Sequence, residues 1–340
     1  MAFFDFWTES IAIDLGTANT LIIHNDKVVV DSPSIVAIDK KTEKIIAVGS
    51  EASLMQGKTH ENIKTIRPLK DGVIADFNAS EQMISTLISS IPSLKKRFFT
   101  PALKMVICIP SGITEVEMRA VRESAERVNG KEVYLIHEPM AAAIGIGVDI
   151  MQPKGNMIID IGGGTTEIAV MSLGGVVYSE SLRVAGDAMD NALKDYMREE
   201  YNLMIGDSTA EKIKKDIGTA IPSNNNTYAV KGRDIRSGTP KEVNISEEDS
   251  SEALNPILKE IVSGIKKALE HTPPELSADL VDMGLTMTGG GSLLKNIDKR
   301  FSKETGLPVN IADDPLSCVA IGTGKALENQ EIFSEVLSEY

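Results

Sequence analysis

The sequence has few of the residues on which several classes of protein depend. Only two cysteines and four histidines occur among its 340 residues. Cys108 and Cys318 lie far apart in apolar contexts with no CxxC pair, which argues against a disulfide framework and a zinc site. Basic residues number 35 against 49 acidic ones, a net charge of -14. A protein with this charge would repel a phosphate backbone, so nucleic acid is disfavoured as a partner.

Long apolar runs are also missing. No stretch approaches the roughly 18 consecutive apolar residues that a membrane span needs. The best candidate, residues 139–150, is short and contains Asp149. The first residues have neither the basic segment nor the small-residue cleavage site of a secretory signal. We therefore expect a cytoplasmic protein that does not cross a bilayer.

The composition that remains is that of a folded protein with more than one structural unit. Hydrophobic residues make up 42% and charged residues 25%, as in ordinary globular proteins, and a domain takes roughly 100 to 200 residues. Apolar residues with helical spacing (83–91, 116–128) alternate with short strand-like runs (105–109, 133–136), which indicates an α/β fold. A long helix is predicted from Glu247 to about His271, with Pro256 as a break or second start.

An internal repeat is the most informative feature of the chain. Residues 11–23 read IAIDLGTANTLII, and residues 157–171 read MIIDIGGGTTEIAVM. In each segment an apolar run reaches an aspartate, passes through a turn of small and hydroxyl residues, and continues as a second apolar run, which predicts a hairpin. Asp14 and Asp160 are 146 positions apart, and the same spacing relates Gly16 to Gly162. Two similar halves are therefore expected.

The residues in the two turns favour phosphate binding. Glycine lets backbone N–H groups approach an anion. Hydroxyl groups add neutral donors, here those of Thr17, Thr20, Thr165 and Thr166. Two such turns facing each other would hold a polyphosphate from both sides, and Asp14 and Asp160 would meet a Mg²⁺ ion that keeps most of its waters. The alternative is two ordinary hairpins, each with a turn-favouring aspartate.

Two other positions join this hypothesis. Gly289, Gly290 and Gly291 follow an apolar run and precede a helical pattern, an arrangement that also contacts nucleotides. Glu138 follows a predicted strand, at the end where open α/β sheets place their chemistry. It is our candidate to orient a water attacking a terminal phosphate, with the Thr165 hydroxyl as a second contact. The alternative is that Glu138 only caps the following helix.

Nine motifs, spread along the whole chain, are similar to those of a known protein family. They are DLGTANT at Asp14, IPSG at Ile109, HEPMAAAIG at His137, DIGGGTTEIAV at Asp160, AGDAMD at Ala185, TAEKIK at Thr209, HTPPEL at His271, TGGGSLLK at Thr288 and AIGTGKAL at Ala320. Together they resemble the MreB family of bacterial actin homologues. DLGT and DIGGGT also fit actins, sugar kinases and heat-shock chaperones, whereas PMAAAIG, TPPEL and TGGGSLLK are much narrower.

The resemblance implies an α/β, actin-like fold of two duplicated lobes, with four subdomains around a nucleotide cleft that holds ATP or ADP and Mg²⁺. Lobe I would comprise residues 1–145, with a small subdomain at about 32–75, and would be completed by about 313–340. Lobe II would comprise residues 146–312, with a small subdomain at about 182–244.

The resemblance also assigns site residues by motif. Asp14 and Asp160 would hold Mg²⁺ through water, while Glu138 and Thr165 would position the hydrolytic water. The nucleotide would contact Gly16, Thr17, Ala18, Asn19, Gly162, Gly163, Gly164, Thr165, Gly186, Asp187, Glu211, Lys214, Gly289, Gly290 and Gly291. One departure is that the family usually has two acidic residues before this proline, and here the first is His137. We expect hydrolysis to be retained, and a histidine near the cleft could titrate close to neutrality.

Relatives of this kind are expected to bind the inner face of the membrane peripherally, and two segments suit an anionic lipid surface. The first combines three cations with two aromatic residues in Leu94, Lys95, Lys96, Arg97, Phe98 and Phe99. The second places Phe3, Phe4 and Trp7 on one side of a candidate helix, although Asp5 and Glu9 have the wrong charge. The alternative for each segment is packing against the protein's own lobe.

The resemblance favours a cytoskeletal ATPase that assembles head-to-tail into filaments and supports cell shape or a related cytoskeletal function. Paired protofilaments and paralogues are further candidates for its assembly. A small-molecule kinase on the same fold is the main alternative, but it needs an acceptor pocket and a base for which we find no separate carboxylate motif. A chaperone ATPase would need a substrate-binding domain, and few residues follow the Ala320 motif.

Overall fold

The computed structural model describes residues 8–95, 101–334 and 336–339. The elements of the first half are β1 (Thr8–Leu15), β2 (Asn19–His24), β3 (Lys27–Pro33), β4 (Val36–Asp39), β5 (Ile45–Val48), α1 (Ser50–Met55), β6 (Ile63–Ile66), β7 (Leu69–Lys70), β8 (Val73–Ile74), α2 (Phe77–Ser90), α3 (Pro92–Lys95), β9 (Ala102–Ile109), α4 (Glu115–Arg127), β10 (Gly130–His137) and α5 (Glu138–Ile146). Those of the second half are β11 (Asn156–Ile161), β12 (Thr166–Ser172), β13 (Gly175–Leu182), α6 (Gly186–Tyr201), β14 (Leu203–Met204), α7 (Asp207–Asp216), β15 (Thr227–Asp234), β16 (Pro240–Ser246), α8 (Glu247–His271), α9 (Pro274–Met283), β17 (Leu285–Thr288), a short 3-10 helix (Gly290–Leu293), α10 (Ile297–Thr305), β18 (Val309–Ile311), α11 (Cys318–Glu328) and β19 (Ser338–Glu339).

Two mixed sheets form the centres of lobes I and II and share one topology. The order is β10-β9-β1-β2-β3 in lobe I, with β19 beside β10, and β18-β17-β11-β12-β13 in lobe II. In each sheet the first hairpin is antiparallel and a later strand pairs parallel to its first strand. Leu15 lies opposite Thr20, and Ile161 lies opposite Thr166. The predicted repeat and the α/β fold class are therefore confirmed.

Each half of the chain also forms a small three-stranded sheet, separate from the main sheet. Strands β5-β4-β6 form one within residues 36–66, and β14-β15-β16 form the other within residues 203–246. The exact limits of the lobes and of their small subdomains stay predictions.

Each lobe has its own apolar core because the central strands, such as β11 and β12, are buried on both faces and helices cover them. In lobe I, Ile11 and Ile13 of β1 join Met83 of α2 and Val121 of α4 in one cluster. In lobe II, the fully buried Phe301 of α10 belongs to the corresponding cluster beneath α8. Each core thus packs against the first hairpin of its own lobe.

A third apolar cluster contains α5 and α11 together with side chains of both main sheets, such as Val106 of β9 and Ile158 of β11. The two helices pack very closely. A Cβ at Gly145 would collide with the backbone of Cys318, and one at Gly322 would collide with the carbonyl of Ala141. These glycines permit direct contact between the helix backbones, and this helix pair joins the lobes.

Helix α8 corrects one prediction. It runs unbroken through Pro256, so the expected break or second start there is wrong. Buried Leu254 and Leu258 on either side of the proline keep the helix against the core, and this packing outweighs the loss of one backbone hydrogen bond. Its start is fixed by reciprocal bonds between Ser246 and Asp249.

Candidate functional site

The turn of lobe I lies between β1 and β2 and is held by bonds to its neighbours. The Ser34 hydroxyl donates to the carbonyl of Gly16 at 2.6 Å. The N–H of Gly72 donates to the Thr17 hydroxyl at 3.0 Å. This turn is therefore fixed by the segments that lead into and out of the small sheet of lobe I.

The turn of lobe II lies between β11 and β12 and is held by the start of α6. The N–H of Gly186 donates to the carbonyl of Gly162 at 3.1 Å, and that of Asp187 donates to the carbonyl of Gly163 at 2.8 Å. The helix start thus fixes the carbonyl side of the glycine turn.

The two turns are in contact. A Cβ on Gly163 would come within 2.7 Å of the Ala18 side chain, and one on Gly164 would come within 2.7 Å of the Thr17 hydroxyl. Glycines at these positions are therefore needed for the lobes to approach each other. Two unrelated hairpins would not require this fit, so the alternative of ordinary tight turns is not supported.

Asp14 and Asp160 end the first strands of the two lobes beside these turns. Burial raises the pKa of Asp14 to about 6 and that of Asp160 to about 7, although a hydrogen bond to each carboxylate opposes the shift. Among the described residues, no group of three His, Cys, Asp or Glu side chains could hold a metal ion. The Asp14 and Asp160 carboxylates suit Mg²⁺, which takes few protein ligands and keeps its waters.

Glu138 begins α5, directly after β10. The N-cap residue is His137, which makes no side-chain cap bond, and Glu138 is the acidic residue of the first turn. Burial, together with the charges of Glu167, Asp160 and Asp14, raises the pKa of Glu138 well above its ordinary 4.5. Such a concentration of carboxylates around a cleft is typical of a site that receives a cation or a reacting group.

Glu167 is a member of this carboxylate group that sequence reasoning missed. It is fully buried and accepts bonds from the Ser111 N–H of lobe I at 2.9 Å and from the Ser181 hydroxyl of lobe II at 2.6 Å. The repeat could have indicated Glu167, because this residue pairs with Asp160 in the predicted hairpin. Its counterpart in lobe I is the apolar Leu21.

Burial lowers the pKa of His137 below its ordinary 6.5, which favours the uncharged form of its ring.

The far end of the cleft is formed by α6, α7 and the segment after β17. Lys214 forms an ion pair with Asp190 at 2.9 Å and donates to the carbonyl of Gly186 at 2.9 Å. A Cβ on Gly289 or Gly291 would collide with Ile161. These two glycines therefore bring the third glycine cluster against β11, beside Asp160.

One cavity of about 670 Å³ unites the predicted site, a volume typical of small-molecule sites. Every residue assigned by motif to nucleotide, magnesium or water contributes to its lining. Thr20 and Thr166, expected as further phosphate donors, do not: both are fully buried, and their hydroxyls bond to the Ser34 hydroxyl and to the carbonyl of Val184 instead. Lining residues that sequence reasoning missed include Asp31, Arg67, Gly72, Met189, Asp190 and Lys295.

Arg67 and Asp190 show why these residues were missed. Arg67 donates to Asp187 across the cleft at 2.6 Å, a contact between segments 120 positions apart that no local pattern announces. Asp190 lies three positions after Asp187 on α6, and this spacing places both on one helix face. The AGDAMD motif therefore did contain a signal for Asp190.

The predicted membrane segments are only partly described. Leu94 in α3 is half-buried and packs against the lobe I core, as in the alternative of packing against the protein itself. The Lys95 side chain and Phe3, Phe4, Trp7, Lys96, Arg97, Phe98 and Phe99 lie outside the described residues. Their contact with lipid stays a prediction.

Within the described parts of the chain, the helices are too short or too polar to pass through a bilayer.

The matching sheets and the glycine-lined cleft between them define an actin-like protein. A family model described as MreB/Mbl protein matches residues 8–335, and the chain belongs to this family. It is 47% identical over 327 residues to the cell shape-determining protein Mbl of Bacillus subtilis, covering 96% of this chain and 97% of that relative. It is 46% identical over 340 residues to the cell shape-determining protein MreB of Escherichia coli, covering 97% of each.

A solved structure supports the same assignment. MreB5 of Spiroplasma citri bound to AMPPNP matches with a TM-score of 0.91 and 40% identity, covering 96% of this chain and 98% of that one. The ADP-bound structure of the same protein gives a TM-score of 0.90 at 40% identity, covering 97% and 98%. The chain is thus similar, over nearly its whole length, to a protein that binds both nucleotides.

Proposed function

We propose that this chain is a cytoskeletal ATPase that binds ATP or ADP with Mg²⁺ in the cleft and hydrolyses ATP slowly. The contact between the glycine turns of the two lobes supports this proposal most directly. It would place backbone N–H groups of both lobes around a single polyphosphate. The nucleotide-bound relative of known structure adds independent support.

Each part of the cleft has a proposed task. The turns at 16–19 and 162–165 would bind phosphates, and Gly186, Asp187, Glu211, Lys214 and Gly289–Gly291 would surround the nucleoside. Asp14 and Asp160 would hold Mg²⁺ through its waters. The ion supplies positive charge that offsets the phosphates and the two aspartates.

Hydrolysis would depend on Glu138 and Thr165. Glu138 would orient the attacking water and accept its proton, while the Thr165 hydroxyl would fix the same water from lobe II. Because one group belongs to each lobe, the water would be correctly placed only when the lobes are together. This dependence would couple hydrolysis to the conformation of the subunit.

We propose filaments as the assembled form, built by repeated head-to-tail contact of one surface with another. Pelleting with and without ATP and Mg²⁺, followed by electron microscopy, tests this proposal. The expected result is nucleotide-dependent filaments. Persistent monomers at high protein concentration and low salt, in protein that binds ATP, would contradict self-assembly.

Peripheral binding to the inner face of the membrane is proposed for the segment around Phe98 and Phe99. We expect the Phe98→Ser/Phe99→Ser variant to pellet less with anionic liposomes than the unchanged protein. Val116 on α4 is 78% exposed, so Val116→Ser is a control for the loss of an apolar side chain elsewhere on the protein. Full pelleting of the double variant would exclude this segment as the anchor.

The kinase alternative makes a different prediction. A kinase needs an acceptor, whereas the proposed ATPase releases phosphate from ATP in plain buffer. Phosphate release without added acceptor therefore separates the two functions, and family membership favours the ATPase.

A further inference from the structure

The strand next to each first strand carries a side chain that donates a hydrogen bond to the aspartate of that lobe. In lobe I, the Cys108 thiol of β9 donates to Asp14 Oδ1 at 3.1 Å. In lobe II, the Thr288 hydroxyl of β17 donates to Asp160 Oδ1 at 2.9 Å. Both donor residues are buried, with 3% and 0% exposure.

The two donors occupy corresponding places in the repeated topology. Strand β9 runs parallel to β1, and β17 runs parallel to β11. Asp160 lies directly opposite Thr288, and Cys108 follows the Ile13–Ile107 pair by one position. The duplication therefore includes the support of each aspartate as well as the aspartate itself.

We propose that Cys108 and Thr288 are positioning residues that fix the Asp14 and Asp160 carboxylates for Mg²⁺, with Thr288 the stronger of the two. This inference rests on the proposed nucleotide function. A carboxylate oxygen that accepts a bond from a rigid strand has one preferred orientation, which leaves its second oxygen directed to another partner. A hydroxyl is a better donor than a thiol, and this difference makes the two lobes unequal.

The test compares ATP affinity by calorimetry in Mg²⁺ and in excess EDTA. We expect Thr288→Val to reduce the gain in affinity from Mg²⁺ about tenfold, because it removes a bond to a charged group. Cys108→Val should reduce it about threefold, since a thiol is a weak donor. Affinity in EDTA should stay unchanged in both variants, whereas a merely structural defect would weaken binding in both conditions.

Matched variants complete the experiment. Thr323 is also fully buried, and its hydroxyl bonds to the carbonyl of Val319 within α11, so Thr323→Val should leave the Mg²⁺ dependence unchanged. Thr288→Ser should keep the gain in ATP affinity from Mg²⁺. Thr288→Cys gives lobe II the thiol donor of lobe I and should reduce this gain about threefold. It replaces Thr288→Val if that variant does not fold.

The outcomes separate this inference from the function on which it rests. No ATP binding by the unchanged, folded protein would overturn the proposed function. Magnesium-dependent binding that is unaltered in the Thr288 and Cys108 variants would overturn the positioning role alone. Equal weakening in Mg²⁺ and in EDTA would also overturn it.

Discussion

The two turns that meet in the cleft have the same register but different residues. Lobe I places a single glycine in its turn, followed by Thr17, Ala18 and Asn19, whereas lobe II places three consecutive glycines at 162–164. The glycines of lobe II face Thr17 and Ala18 of lobe I. The side chains of the lobe I turn leave room only for glycine in the facing turn of lobe II. The two duplicated turns are therefore complementary in shape.

The lobes differ also at the end of the sheet. In lobe I, β10 ends at His137 and is followed by Glu138, whereas β18 in lobe II ends at Ile311 and is followed by Ala312. The residue directly after the strand is a carboxylate in lobe I and an alanine in lobe II, where Asp313 and Asp314 come next in the sequence. Binding should therefore involve both halves, while activation of water depends on one.

The largest predicted effect concerns this difference. Glu138→Gln should lower phosphate release by about 100-fold, because a general base contributes at least that much, and should change ATP affinity little. Steady-state phosphate release and equilibrium binding test the two statements. Glu132→Gln, on the exposed part of β10, is the control. Unchanged phosphate release would remove Glu138 from the mechanism.

The fit between the turns predicts the next effect. Gly163→Ala should weaken ATP binding by about tenfold to a hundredfold, since overpacking at a close contact costs about 1–3 kcal/mol. Ala18→Gly should restore part of the loss in the double variant by removing the opposing side chain.

The control for this substitution is Gly206→Ala, which meets open space and has a negative φ of -90°. Binding unaffected by Gly163→Ala would show that the turns need not touch when the nucleotide is bound.

The aspartates predict a pH effect of intermediate size. Both are ionised above about pH 4 when unfolded, but their pKa values in the fold are about 6 for Asp14 and about 7 for Asp160. The protein without nucleotide or metal therefore loses stability as pH rises from about 4 to 7. Asp160→Asn should raise the free energy of unfolding at pH 8 by about 1–2 kcal/mol, and Asp14→Asn should raise it by less.

Urea unfolding at pH 8 and at pH 4 measures this effect, which should largely disappear at pH 4. Lower stability of both asparagine variants at pH 8 would contradict it.

The smallest predicted effect concerns the ion pair across the cleft. Arg67 and Asp187 are about one-third exposed, so their bond should contribute less than about 1 kcal/mol. Arg67→Ala should speed nucleotide release about threefold, which stopped-flow fluorescence of a labelled nucleotide can measure. Arg122→Ala removes a similarly exposed pair within α4 and should have no effect. Equal release rates in the two variants would show that the Arg67–Asp187 pair does not slow nucleotide release.

The local features of the site were open to prediction from the sequence. The hairpins could be found because β-branched runs, an aspartate and small turn residues follow one another within a few positions. The constant spacing of 146 positions then aligned the residues of one hairpin with those of the other. Arg67 could not be found in this way, since its partner is set by the way the lobes meet. Pro256 misled because its local preference competes with the burial of Leu254 and Leu258, which depends on the whole of lobe II.

The backbone contact between α5 and α11 has a mechanical consequence. Gly145 and Gly322 leave no side chain between the helices, so the two can slide or twist against each other but cannot approach further. We expect the two lobes to rotate relative to each other about this contact between α5 and α11. The small sheets at residues 36–66 and 203–246 are separate from both main sheets, so a change of angle between α5 and α11 would move one small sheet relative to the other.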